Sequence, residues 1–321
     1  MTNGGQSVQA QAHPNIALVK YWGKQIGGDN LPAVPSLSIT LDELAAQTTV
    51  SLAPQDLFVL DGQERSGANE DLKLTRFLAF LRTKFDVPPL RIDSHNNFPT
   101  AAGLASSAAG FAALIAAIND FLGLDIDVAE QSRIARVGSA SAARSVLGGF
   151  VGLRHPSFSA EQIAGDVDWP LRIVIAITDH TAKAISSADG MRISALTSPY
   201  YTAWVDSAEQ DFANAQQAIA DHDFAALAAV SEHSCLKMHA LMLSSVPSLV
   251  YWNGATLSSL QVLRRLQAEA CEVFFTSDAG PQVKAICTPR YADQVQRELQ
   301  SVPGVKQVHN VGIGGPARVL D

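Results

Sequence analysis

The chain has 321 residues, 47% hydrophobic and 17% charged, enough apolar side chain for about two domains of roughly 150 residues and too much for a disordered chain. With 23 Lys and Arg against 31 Asp and Glu the net charge is -8, which argues against a basic footprint for nucleic acid or an anionic membrane surface. An anionic small molecule stays open, because a few local cations suffice for one.

The first dozen residues are polar, with neither a basic nor an apolar leader segment, and read as a frayed tail with no secretory signal. Strand-like runs follow at 36–44, 45–53 and 56–62, the last ending on an Asp-Gly turn. Residues 70–84 place Leu72, Leu74, Phe77, Leu78 and Leu81 at helical spacing, and 90–98 is a strand running into a polar loop. Next comes a Gly-containing loop and a helix of small and apolar residues (99–124), which should be buried. A second helical pattern covers 128–146, stopped by Gly148-Gly149 before a strand at 150–155. Beyond it lie an apolar strand (171–180), a loop containing SSADGMRIS, and helices at 199–221, 223–242 and 255–269. Two strands at 271–277 and 282–287, a helix at 290–300 and a strand at 305–313 complete the pattern. Strands alternating with amphipathic helices, including a hairpin-like pair, predict an α+β sandwich with its helices on one face. The expected division is a tail at 1–12, a first domain at 13–185 and a second at 186–321. No stretch of about 18 apolar residues is available to span a membrane. Three cysteines without CxxC spacing (Cys235, Cys271, Cys287) form no disulfide framework or zinc ribbon, so a reducing cytoplasmic location is expected.

The strongest chemical signal is PTAAGLASSAAG (99–110). Small-residue turns leave backbone N–H groups free, and Ser106 and Ser107 stand where a helix begins, so a phosphate is the natural ligand. The competing reading is an Ala-rich buried helix with an ordinary serine cap. In HPNIALVKYWGK (13–24), period two puts Lys20 and Trp22 on one face with Ile16 and Leu18. A lysine there is costly to bury unless something anionic meets it; otherwise the run is an edge strand whose lysine reaches solvent. GSASAARS (138–145) brings hydroxyls together with Arg144, whose guanidinium is shaped for carboxylate or phosphate. Asp278 ends an apolar strand before an Ala-Gly-Pro turn, where it is a catalytic carboxylate or a plain turn residue. Gly312, Gly314 and Ala317 imitate a dinucleotide fingerprint without a following helix, and His233 and His239 lack metal-ligand spacing, so neither a dinucleotide nor zinc is expected.

Taken together, NIALVKYWGK, NNFPTAAGLASSAAGF, GSASAARSVLGGFV, SSADGMR and TSDAGPQVK resemble the diphosphomevalonate decarboxylase family in order and spacing over nearly the whole chain. That family sits in the superfamily of galactokinase, homoserine kinase, mevalonate kinase and phosphomevalonate kinase. The resemblance implies a two-domain small-molecule kinase fold, ribosomal S5 domain 2-like at the N-terminus and ferredoxin-like at the C-terminus, with the active site in the cleft between. It implies ATP-dependent decarboxylation of mevalonate 5-diphosphate to isopentenyl diphosphate through phosphorylation of the C3 hydroxyl, with ATP and Mg²⁺, in a cytoplasmic homodimer.

On the same resemblance Asp278, Arg144 and Lys20 are catalytic. Asn15, Tyr21, Trp22, Gly23, Lys24, Lys73, Ser139, Ser141 and Ser187 bind the substrate. Asn96, Gly103, Leu104, Ala105, Ser106 and Ser107 hold ATP, with Ser107 reaching Mg²⁺ through the phosphates. Val34 and Pro35, Gln282 and Ala188 depart from the family pattern, where polar or basic groups or Asn are usual. They bear on the 5-substituent, so the alternatives are a decarboxylase of mevalonate 5-phosphate or a 3-hydroxyl kinase that stops before decarboxylation. A non-catalytic nucleotide-binding scaffold would be expected to lose Asp278 or Arg144, and both are present.

Overall fold

The computed structural model describes residues 7–25, 30–65, 69–98, 106–181 and 183–320. Three sheets carry the α+β architecture. The first contains β1 (Val8–Ala12), β4 (Ala46–Leu52), β5 (Leu57–Leu60), β6 (Gln63–Glu64), β7 (Leu90–Asn96) and β14 (Arg318–Leu320) in the order β14-β1-β4-β7-β5-β6, antiparallel except for β5 beside β7. The second is antiparallel, β2 (Asn15–Val19), β3 (Ser36–Thr40), β8 (Phe150–Leu153) and β9 (Ala160–Ala164) in that order. The third, also antiparallel, runs β11 (Val273–Thr276), β12 (Val283–Cys287), β10 (Arg172–Ile177), β13 (Gln307–Val311).

One face of the first sheet is covered by α1 (Asn69–Arg82) and α2 (Ser106–Leu122). Alanines at 108, 109, 112, 113, 116 and 117 are buried, which lets the α2 backbone lie close against β1 and β4. The expected helix over 128–146 is two helices, α3 (Val128–Gly138) and α4 (Ala142–Ser145), because Ser139 is extended at φ -154°. That break turns the hydroxyls of Ser139 and Ser141 out of a helical row. Period two divides the third sheet cleanly. Ile173, Ile175, Ile177, Phe274 and Ile286 join Ile16, Leu18, Leu37 and Ile39 in a core with α6 (Tyr201–Ala220) and α7 (Phe224–Leu243). Val174, Val273, Phe275, Val283 and Ala285 face the opposite way onto α8 (Gly254–Ala268) and α9 (Ala292–Gln300).

Three sequence expectations are corrected. The tail is ordered from Val8, because β1 is inserted between β14 and β4 and buries Ala10 and Ala12. The stretch expected as a loop at SSADGMRIS is α5 (Ser187–Thr197), capped by Ser186, whose side chain accepts from the Asp189 N–H. Finally β10, expected in the first domain, pairs with β12 and β13 of the second. No helix among the described residues is long and apolar enough to cross a membrane.

Candidate active site

The site forms where β2 meets the β11–β12 hairpin. Lys20 follows the end of β2, and its backbone N–H donates to Ser234 Oγ of α7 at 2.9 Å. Its side chain is 1% exposed and donates to Asp278 Oδ1 at 2.7 Å, so the lysine is buried against an anion instead of snorkelling from an edge strand. Asp278 opens the turn after β11. That turn is pinned by Ser277 Oγ, which lies 3.1–3.3 Å from the carbonyls of Asp278, Gly280 and Gln282. Gln282 is fixed in turn, its side-chain oxygen accepting from the Thr178 N–H at 2.7 Å. From β12, Lys284 reaches back to Asp278 Oδ2 at 3.0 Å, itself fully buried. Desolvation by the surrounding protein would raise the Asp278 carboxyl, but the two ammoniums outweigh it and hold it well below the usual carboxylate range. A third of the Asp278 side chain remains accessible.

Arg144, on α4, is 2% exposed. Its guanidinium donates to Ser38 Oγ (2.9 Å), Ser36 Oγ (2.6 Å) and Asn15 Oδ1 (3.2 Å). Asn15 is oriented by donating its amide hydrogens to the Ser141 carbonyl (3.0 Å) and Ser145 Oγ (2.8 Å). Burial pulls Arg144 down from its ordinary value, while the charges of Asp278 and Tyr21 pull it back, and it stays a cation at neutral pH. A buried cation whose hydrogen-bond partners among the described residues are all neutral is poised for an anion. Lys183 adds a further ammonium, donating to Ser187 Oγ at 2.6 Å and to the Ala279 carbonyl at 3.1 Å. Two cations, Lys20 and Lys284, thus touch the carboxylate, and its charge is felt by Arg144 and Lys183 beyond them.

A second cluster lies at the start of α2. Ser107, Ser139 and Ser141 form a row of hydroxyls 3.3 Å apart. Ser106, Ser107, Lys73 and Asn96 line a pocket walled by Phe58, Leu60, Ile92 and Phe111, about 700 Å³ counted to its open mouth. Asn96 Oδ1 is buried there with no hydrogen-bond partner among the described residues. Gly103, Leu104 and Ala105 lie outside the described residues. A largely apolar pocket with a buried amide acceptor, beside a helix N-terminus with hydroxyls, suits a nucleoside carrying phosphates. No cluster of three acidic, His or Cys side chains stands together among the described residues.

Between the two clusters, Lys24 donates to Asn30 Oδ1 at 2.6 Å, and Asn30 is anchored on the Val137 and Arg136 carbonyls. Burial, then the nearby Lys73 charge, lowers Lys24. The Tyr21 hydroxyl is buried without a partner among the described residues; burial pushes it up, partly countered by Arg144. Gly23 sits at φ +111°, and a side chain there would strike the Tyr201 hydroxyl. Trp22, expected among the substrate-binding residues, is 1% exposed and packs with Val34, Met191 and Trp204.

Sequence reasoning missed Lys284, Lys183 and Asn30. Lys284 had a readable signal, a lysine inside the apolar run QVKAIC, the same conflict that singled out Lys20. Lys183 and Asn30 stood in polar loops with none.

Residues 12–164 match the diphosphomevalonate decarboxylase-like N-terminal domain and residues 173–312 the mevalonate 5-diphosphate decarboxylase C-terminal domain. The chain is 33% identical to the diphosphomevalonate decarboxylase of Candida albicans, over 98% of this chain and 95% of that one. It is 32% identical to the phosphomevalonate decarboxylase of Haloferax volcanii, over 97% of each. It superposes on a structure of MDDEF in complex with MVAPP, AMPPCP and magnesium with a TM-score of 0.90 at 35% identity, covering 98% of this chain and 99% of that one. With both domain models matched in order and relatives aligned end to end, this chain belongs to the diphosphomevalonate decarboxylase family.

Proposed function

We propose that the chain catalyses the ATP-dependent decarboxylation of mevalonate 5-diphosphate, giving isopentenyl diphosphate, ADP, phosphate and CO₂. The observation that carries this reading is the Asp278 carboxylate held between Lys20 and Lys284 beside the neutral-partnered Arg144. A tertiary alcohol next to a carboxylate does not lose CO₂ readily, because hydroxide is a poor leaving group. Attack of the C3 oxygen on the γ-phosphorus of ATP, with ADP leaving and the hydroxyl proton passing to Asp278, changes that. The C3–O bond then breaks with its electron pair leaving on phosphate, and the C1–C2 pair becomes the C2–C3 double bond as CO₂ departs.

Each step asks something of this chain. Asp278 accepts the hydrogen bond of the C3 hydroxyl, and Arg144 holds the substrate carboxylate in two parallel contacts. Lys20 and Lys183 offset charge on the transferring phosphoryl group. Tyr21, Lys24, Ser139 and Ser141 meet the 5-diphosphate. Lys73, Asn96, Ser106 and Ser107 hold ATP, whose Mg²⁺ offsets phosphate charge when bound. A surplus of cations at one carboxylate fits a substrate with several negative charges, and focuses it despite a chain charge of -8.

A second reading, turnover of mevalonate 5-phosphate, is favoured by one observation. Val34 and Pro35, where polar groups are usual in the family, are buried, Val34 in the apolar core with Trp22. Comparing kcat/KM for the 5-diphosphate and the 5-phosphate decides between them. Preference for the diphosphate supports the proposal, preference for the monophosphate replaces it, and ADP release without CO₂ from either makes the enzyme a 3-kinase.

The division into domains is proposed between β9 and β10, where the two family models separate. A homodimer is also proposed. The exposed apolar Leu196, Val246 and Val250 lie around the Val246–Thr197 hydrogen bond, and sedimentation equilibrium tests whether such a face is covered in solution. Three free, buried cysteines are consistent with a cytoplasmic enzyme.

A further inference from the structure

Lys20 and Lys284 contact Asp278 from different parts of the molecule. Lys20 arrives from β2 of the second sheet. Lys284 belongs to the same hairpin as Asp278: Thr276 and Lys284 are direct cross-strand partners of β11 and β12, and Asp278 lies two residues beyond Thr276. Alternation places Val283 and Ala285 on the face packed on α8 and α9, so Lys284 points to the other face with Ile286, under the carboxylate. The Lys284–Asp278 contact is therefore internal to one short hairpin. The Lys20–Asp278 contact, by contrast, joins two separate sheets.

We propose that Lys284 is a positioning residue for the reaction, a fixed cation within the Asp278 hairpin that holds the carboxylate in one orientation, leaving Lys20 free to turn to the incoming phosphoryl group. The proposal rests on the reading of Asp278 as the acceptor of the C3 hydroxyl.

The groups facing Asp278 support the assignment. Lys20 comes from β2, Arg144 from α4, Lys183 from the segment before α5, and Cys235 and His239 from α7. Burial raises the Cys235 thiol and lowers His239 to about 3, so both are neutral near pH 7. Of the cations, Lys20 and Lys284 are the two in hydrogen-bond contact with the carboxylate among the described residues. A carboxylate has about four acceptor positions, so one lysine on each oxygen still leaves room for a substrate hydroxyl.

The test is a titration of the ligand-free full-length protein labelled with ¹³Cγ-aspartate, with the Asp278 resonance assigned by its loss in Asp278→Asn. In the unsubstituted protein Asp278 should remain ionised below the pH at which the other aspartates protonate. In Lys284→Met its midpoint should rise by about a unit or more, the size expected for losing an adjacent opposite charge. Lys284→Arg, which keeps the charge, should titrate like the unsubstituted protein. In single-turnover assays Lys284→Met should slow phosphoryl transfer by about a hundredfold, as a misplaced reacting group does, with the KM for ATP within about twofold. An Asp278 midpoint unmoved by Lys284→Met overturns the proposal. So does an Asp278 that titrates with ordinary carboxyls in the unsubstituted protein, a result obtained even if Lys284→Met fails to fold. The titration needs no substrate. A raised midpoint in a protein that decarboxylates nothing would keep the clamp and discard the functional reading.

Discussion

A carboxylate with an ammonium on each oxygen is a weak base and a firm acceptor, and this governs what Asp278 can do. Its depressed pKa keeps it ionised through the acid range in which free carboxyls protonate. The acid limb of the rate profile should therefore not report Asp278. Arg144 shows the complementary design: three donors are used on Ser36, Ser38 and Asn15, which fixes the guanidinium plane. Arg144→Lys keeps the charge but cannot satisfy three partners in that geometry. We expect kcat/KM for the decarboxylated substrate to fall about a hundredfold while KM for ATP stays within about threefold, measured by steady-state kinetics. At this scale the sequence could be read wherever a residue contradicted its surroundings. Lys20 stood in an apolar strand, and Arg144 stood among small residues. Lys284 carried the same contradiction but lay in a strand read for its hairpin. The contacts of Asn30 and Lys183 arise from long-range packing that leaves no local mark.

Among the elements, α2 and α8 make the clearest demands. The small-residue face of α2 leaves no space beneath it, so Ala113→Leu should cost about 1–3 kcal/mol in a urea melt. Asn253 and Thr256 form a reciprocal cap at the start of α8, and Asn253→Ala should cost about 1 kcal/mol without changing KM. The long helices and apolar strands were legible because burial on one face writes its period into the sequence. Elements set by partners distant in the chain were not. The β1 strand exists because β4 and β14 flank it, and β9 because β8 offers an edge. The break between α3 and α4 comes from Ser139 being extended, at a position where alanine-rich flanks read as continuous helix.

Over the whole molecule, a net charge of -8 coexists with a cleft of opposite sign, so the anionic substrates meet a focused field and not the average one. Stability should also respond to pH through His239, buried at 3% exposure and stacked on Trp252 at 4.1 Å. Burial, then the Lys20 charge, lowers its pKa to about 3, below the ordinary histidine value near 6.5. Between those values the unfolded chain binds a proton that the folded one does not. Stability therefore falls as pH drops through that window, by up to about 1.4 kcal/mol per unit. His239→Gln should flatten that dependence, read as the shift in urea midpoint between pH 7 and pH 5. An equal shift in both proteins would contradict it.

In our reading one site phosphorylates the C3 oxygen and then releases CO₂, using Asp278. Single-turnover measurement of ADP, phosphate and CO₂ from mevalonate 5-diphosphate, with the unsubstituted protein and with Asp278→Asn, tests it most directly. We expect equal amounts of the three products, with the rate falling by about 10²–10⁴ in the variant while ATP still binds. Undiminished CO₂ release in Asp278→Asn, or ADP formed with no CO₂ in the unsubstituted protein, would contradict the account.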